Sequence, residues 1–192
     1  MKRVLLFLVL AMVIATGVFA QTDYKRNWVG GEVSILGAGA RYEFMVTPWM
    51  SVGANVYWST LILFADFGAN VVARFYPLAG INDTWRKKPG LFIETGLGFG
   101  FHRGTVTFDN YNSYGQLQRN TDWGQTLGFQ IAPAVGWRFD FGDLGGFYFS
   151  PGIRVPITIG PQKLVLGWNS SYRDKVGVGT GVVIFVGLGA GF

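Results

Sequence analysis

Val176-Gly177-Val178-Gly179-Thr180-Gly181-Val182-Val183-Ile184-Phe185-Val186-Gly187-Leu188-Gly189-Ala190-Gly191-Phe192 alternates strictly. Val176, Val178, Thr180, Val182, Ile184, Val186, Leu188, Ala190 and Phe192 make one face, and the other is mostly glycine. A period of two is strand periodicity. A half-buried soluble strand sets apolar against polar residues. Apolar against glycine suits a strand with lipid on one side and a narrow, crowded lumen on the other.

Upstream, the same two-faced pattern recurs. Segment 90–103 turns Leu91, Ile93, Leu97, Phe99 and Phe101 outward and Glu94, Gly96, Gly98, Gly100 and His102 inward. Segments 38–46, 50–59, 65–76, 123–140 and 147–158 read alike, with Arg41, Glu43, Asp66, Arg74, Arg138 and Arg154 on the inward face. An open sheet in hydrocarbon leaves unpaired backbone groups at several kcal/mol each, and bacterial barrels have even strand numbers. An eighth strand is therefore expected at about 27–35, with Val29, Gly31, Val33 and Ile35 outward and Glu32 inward; one long strand over 28–46 is its rival. The fold class is all-β: an eight-stranded antiparallel up-and-down transmembrane barrel over residues 21–192.

Composition agrees. The 192 residues are 49% hydrophobic, 17% aromatic and 14% charged, against roughly 25% charged in an average soluble domain. Helical periodicity is absent. Zero Cys excludes disulfides, thiol nucleophiles and Cys-ligated metals. Lys2 and Arg3, the apolar run Val4–Val18 and Val18-Phe19-Ala20 read as a signal peptide, residues 1–20, cleaved after Ala20. Removing Lys2 and Arg3 takes the net charge from +5 to +3. That basic balance implies no nucleic-acid partner.

Thr47-Pro48-Trp49 and Gly142–Gly145 read as tight turns, while 104–122 and 160–175 read as long polar loops. Segment 77–89, with Trp85, Arg86, Lys87 and Lys88, is long for a turn on the inner side. Outward aromatics gather at both strand ends: Tyr42, Phe44, Trp49, Phe75, Trp137, Phe139, Phe147, Phe149 and Phe192 at one, Trp58, Phe67, Phe99, Phe101 and Trp123 at the other. Two such girdles flank the apolar band of membrane barrels. Pro133, Pro151 and Pro156 lie inside strands, where a missing N–H breaks the ladder. A bulge near Pro151 or Pro156, flipping the register around Arg154, is expected.

The signal peptide, the alternating strands and Val186-Gly187-Leu188-Gly189-Ala190-Gly191-Phe192 resemble small bacterial outer-membrane barrels of the OmpA, OmpX and OmpW type. The resemblance implies an outer-membrane location and lipid as partner. It also implies periplasmic chaperones and the barrel-assembly machinery, which would read Ile184, Val186, Leu188, Ala190 and Phe192 as a signal. No peptidoglycan-binding domain follows residue 192, so an OmpA-like tether is not expected. Barrel enzymes that remodel lipid A use His with Ser and an acid. His102 has no evident Ser partner, so no catalytic residue, cofactor or metal is assigned and the chain is not expected to be an enzyme.

Inward charges are where chemistry would lie. Glu32, Glu43, Asp66 and Glu94 face Arg41, Arg74, Arg138 and Arg154. Strand adjacency places Glu94 between Arg74 and Arg138. The functional expectation is an OmpW-like narrow conduit for small solutes with a charged, partly plugged lumen. The alternative is a surface-exposed adhesion or host-contact protein binding host or environmental ligands through 104–122 and 160–175.

Overall fold

The computed structural model describes residues 27–47, 49–61, 64–78, 90–111, 114–141, 146–164 and 172–192. The expected signal peptide, most of segment 77–89, and the turns at Pro48 and Gly142–Gly145 lie outside them. The described chain is one antiparallel sheet of eleven strands: β1 (Asn27–Ser34), β2 (Gly37–Thr47), β3 (Met50–Leu61), β4 (Phe64–Phe75), β5 (Leu91–Tyr111), β6 (Leu117–Trp137), β7 (Phe139–Phe141), β8 (Phe147–Arg154), β9 (Ile157–Leu164), β10 (Tyr172–Thr180) and β11 (Val183–Gly191). β1 and β2 pair across a turn at Ile35–Leu36, so the single long strand over 28–46 does not form.

Eleven strands replace the expected eight because three runs are each broken: at Arg138, at Val155–Pro156 and at Gly181–Val182. Two of these breaks follow from proline. Pro133 and Pro156 carry no N–H, so the ladder keeps only one-way bonds there, Val155 N to Pro133 O (2.9 Å) and Gly181 N to Pro156 O (3.0 Å). No residue is inserted. Between Ile131↔Ile157 and Ala134↔Arg154 both partners advance equally. The expected bulge is therefore absent, and Arg154 stays inward and buried.

Pairing closes on itself. The chain of partners Leu188, Gly31, Ala40, Val56, Ala69, Phe99, Phe129, Ile159 and Val178 visits successive neighbours and returns to the β10–β11 run. It returns ten residues from its start (188 − 178), which is the stagger of a tilted, closed sheet. Rows thus climb away from the end where the termini meet, Phe192 N on Asn27 O at 2.9 Å.

The described parts of segments 104–122 and 160–175 are mostly paired strand, not loop. β5 and β6 pair continuously up to Tyr111↔Leu117, around a tip where Gly115 has φ +75°. β9 and β10 pair from Lys163↔Tyr172 onward. The polarity that reads as loop is that of a hairpin whose outward face carries Arg103, Thr105, Thr107, Arg119 and Thr121. β10 also leaves β1 and pairs with β5 through Gly177↔Phe108 and Gly179↔Val106. Far from the termini, β5, β6, β9 and β10 therefore form a narrower ring of their own.

Burial is inverted relative to a water-soluble domain. Trp58, Val71, Phe99, Leu127, Phe147, Ile184 and Phe192 are exposed, while charged and amide side chains are buried. Outward aromatics touch at both ends: Trp49–Phe75 and Phe139–Phe149 near the termini, Phe64–Trp123 at the far end.

Candidate functional site

One ladder row explains how the interior holds large side chains. Gly39, Tyr57, Gly68, Gly100 and Gly128 are successive partners, and Gly160 partners Gly177. A Cβ on Gly68 would sit 2.2 Å from Gln130 Oε1, and one on Gly100 2.0 Å from Gln130 Nε2. Glycine on those strands makes the room in which Gln130 and Tyr57 lie across the lumen.

Below that row all four predicted arginines and three of the predicted acids join one network. Arg41 Nη1 donates to Glu32 Oε1 at 2.7 Å, and its Nη2 donates to Glu94. Arg74 reaches Glu94 Oε2 through Nε (2.9 Å) and Nη2 (2.8 Å), and Glu43 Oε2 through Nη1 at 3.3 Å. Arg154 grips Glu32 with both terminal nitrogens, at 2.9 and 3.0 Å, and lies 3.5 Å from Glu94 Oε1. Arg138 Nη1 donates to Glu43 Oε1 at 3.2 Å and its Nε to Asp140 Oδ1 at 2.7 Å. Ser51 and the Tyr76 hydroxyl also donate to Glu43 Oε1. Aromatic faces cover the guanidinium planes: Arg74 over Phe92 at 3.8 Å, Arg138 over Trp28 at 3.9 Å, Arg154 between Tyr57 and Phe185. All of these charged groups are buried.

Two expectations change. Glu94 lies among Arg41, Arg74 and Arg154, not between Arg74 and Arg138. Strand adjacency alone misses the stagger: Glu94 opposes Ala134, and Arg138 is four residues further along its run. Asp66 is outside the network. It sits opposite His102, which holds it at 2.8 Å through Nδ1. The layer formed by Asn55, Asn70 and Gln130 separates that pair from the arginines. Asp140 takes the place of Asp66 as fourth acid, and its even number, shared with Arg138, already put it on the inward face. The network therefore balances four arginines against Glu32, Glu43, Glu94 and Asp140.

The separating layer is itself bonded. Gln130 accepts from Tyr57 (3.0 Å) and Asn70 (3.2 Å) and donates to Thr158 (3.0 Å). We predict that Gln130→Leu costs about 1–3 kcal/mol, because it strands buried polar partners. Urea titration in detergent checks this, and an unchanged midpoint contradicts it.

Above the layer, His102 is fully buried and its Nε2 has no partner. A Cβ on Gly179 would lie 2.3 Å from His102 Cδ2, and one on Gly181 2.2 Å from Asp66 Oδ2. Thr126 stands opposite His102 on β6 with an unpartnered, buried Oγ1. Acid, imidazole and hydroxyl thus share a row, closed over by β10. No group of three or more metal-ligating side chains occurs among the described residues.

Of the predicted terminal signal, Ile184, Leu188 and Phe192 are exposed and Val186 and Ala190 half-buried, all on the outward face. No family model matches the chain, and no curated protein matches it. The crystal structure of the N-terminal β-barrel domain of Pseudomonas aeruginosa OprF is similar to it with a TM-score of 0.43 and 11% identity, over 87% of this chain and 96% of that one.

Proposed function

We propose that the chain is an integral outer-membrane protein: an eight-stranded up-and-down barrel with a lumen closed by ion pairs, which anchors the β5–β6 and β9–β10 extension at the cell surface for contact with host or environmental ligands. The observation that carries this is the inverted burial, with paired charges inside and an apolar band between aromatic contacts outside. Counting each broken run as one strand gives the even number a closed bacterial barrel takes. Outward charges with described side chains, Arg103 and Arg119, lie on the extension rather than on the band. Hydrocarbon tolerates that placement, since Arg at the midplane costs about 2–4 kcal/mol.

The conduit reading needs a route past Arg41, Arg74, Arg138 and Arg154, none more than 4% exposed. An eight-stranded lumen holds little beyond its own side chains. Reconstituted protein is expected to migrate faster in gels when unheated and to show no steady conductance in planar bilayers. Recovery as a soluble periplasmic monomer would sink the membrane reading, and a stable open current the closed lumen.

The terminal residues Ile184, Val186, Leu188, Ala190 and Phe192 are assigned to recognition by the assembly machinery, with periplasmic chaperones as carriers. Deleting Phe192 should lower outer-membrane yield more than deleting residues 110–118. Equal yields would remove the assignment.

A further inference from the structure

The outward face changes chemistry between two adjacent rows of the sheet. Phe67, Phe101 and Leu127 are successive partners on β4, β5 and β6. Phe67 and Leu127 are exposed, and Phe101 is half-buried on the same face. Two residues farther from the termini the partners are Ala65, Arg103 and Gln125, and the row continues at Lys163 of β9 and Tyr172 of β10. Beyond it the outward positions of β5 and β6 are Thr105, Trp123, Thr107 and Thr121.

Three observations say what this row meets. First, it stands at headgroup level. The last apolar row lies directly beneath it. Trp123, one row above, packs edge-on against Phe64 with ring centroids 4.9 Å apart, and aromatic rings collect at membrane–water interfaces. Second, its charge is uncompensated. Arg103 is exposed and makes no ion pair among the described residues. On β5 and β6 the first acid of the same parity is Asp109, three rows farther out and opposite Arg119. β10 adds Arg173 and Lys175 against the single acid Asp174. Third, the spacing suits one anion. Strands about 4.8 Å apart place Arg103 and Lys163 about 10 Å from each other, with Gln125 between them. A phosphate above Gln125 lies within reach of both positions. An arginine fork takes two of its oxygens and a lysine acts as a point charge. Two cations match a dianion, whereas the phosphate of phosphatidylcholine is already neutralised by its own choline.

We propose that the row Arg103, Gln125 and Lys163 binds the phosphomonoester headgroup of an outer-leaflet lipid, whose acyl chains lie along Phe101 and Leu127. The apolar row beneath the cations selects a lipid over free phosphate, because only a lipid uses both. This rests on the membrane reading above.

The test uses the whole protein in phosphatidylcholine bilayers, with spin-labelled phosphatidate as probe and spin-labelled phosphatidylcholine as reference. The signal is the motionally restricted fraction at the protein surface. Each cation near a membrane surface is worth roughly fivefold in anionic-lipid binding, so phosphatidate should be preferred at a saturable site by roughly twentyfold. Arg103→Gln and Lys163→Gln should each lower that preference by roughly fivefold. Arg119→Gln removes the same charge three rows farther out and should leave it unchanged. The restricted fraction of phosphatidylcholine should stay constant in every variant, which shows that the barrel is still folded. Inorganic phosphate should displace the probe no better than chloride at equal ionic strength; selective displacement by phosphate would make this a free-anion site and overturn the lipid assignment. Equal association of the two lipids, or an equal loss in Arg119→Gln, overturns the site and leaves the membrane reading intact. No restricted fraction for either probe overturns both.

Discussion

Glu94→Ala should lower the stability of the folded chain by about 3–5 kcal/mol, the range for breaking a buried pair by removing one partner, and should open an ion path at the same time. Glu94 Oε2 accepts from Arg41 and Arg74, and Oε1 faces Arg154. Its removal leaves four arginines against Glu32, Glu43 and Asp140, with three guanidinium groups around a void. Uncompensated charge draws in water and anions, so the unfolding midpoint falls while conductance rises and favours anions. Glu94→Gln keeps the volume and removes only the charge, so its loss should be smaller. Glu94→Leu combined with Arg74→Met should recover part of the stability of Glu94→Ala, because apolar replacement of a whole buried pair is often near neutral. Unchanged urea midpoint and conductance in Glu94→Ala would mean that Glu94 does not hold the arginines together.

Parity was the legible part of this chain, and its physics says why. A residue in a closed sheet has only two destinations, and here the exposed outer face and the packed lumen carry opposite chemistries. Arg41, Glu43, Arg74, Glu94, Arg138 and Arg154 could therefore be placed inward from their numbers alone. What parity does not carry is height. The ten-residue stagger decides which inward residues meet, so parity alone groups Asp66 with the arginines, although Arg74 lies eight residues further along β4, and gives Arg138 to Glu94. The extensions of β5 and β6 read as loops in the sequence for a related reason. Outside the apolar band the outward face is no longer apolar, so Arg103, Thr105, Thr107 and Thr121 show no alternation. Pro156 signalled an interruption correctly but not its form. Pro133 and Pro156 each remove one donor from two adjacent ladders, and a break without insertion suffices.

Gly128→Val should be strongly damaging, at about 3 kcal/mol or more, the upper end for overpacking. A Cβ on Gly128 would meet Ile159 O at 2.2 Å and Gly160 Cα at 2.8 Å, and one on Gly160 would meet Leu127 O at 2.2 Å and Gly128 Cα at 2.9 Å. Both obstacles are backbone, so no rotamer relieves them, and β6 must separate from β9. At Gly100 the obstacle is the flexible end of the Gln130 side chain rather than backbone. Gly100→Val should therefore cost less and act by displacing Gln130 from Tyr57 and Thr158. Gly31 supplies the control. It lies on the outward face, and its nearest obstacle is Gly39 O at 3.7 Å, an ordinary contact. Valine is favoured in strands over glycine by up to about 1 kcal/mol, so Gly31→Val should be neutral or stabilising. Heat-modifiable, folded yield of the three variants from outer membranes measures the order directly. If Gly128→Val assembles as well as Gly31→Val, the close approach of β6 and β9 is not a requirement of the fold, and the glycine face owes its composition to something other than the space it leaves.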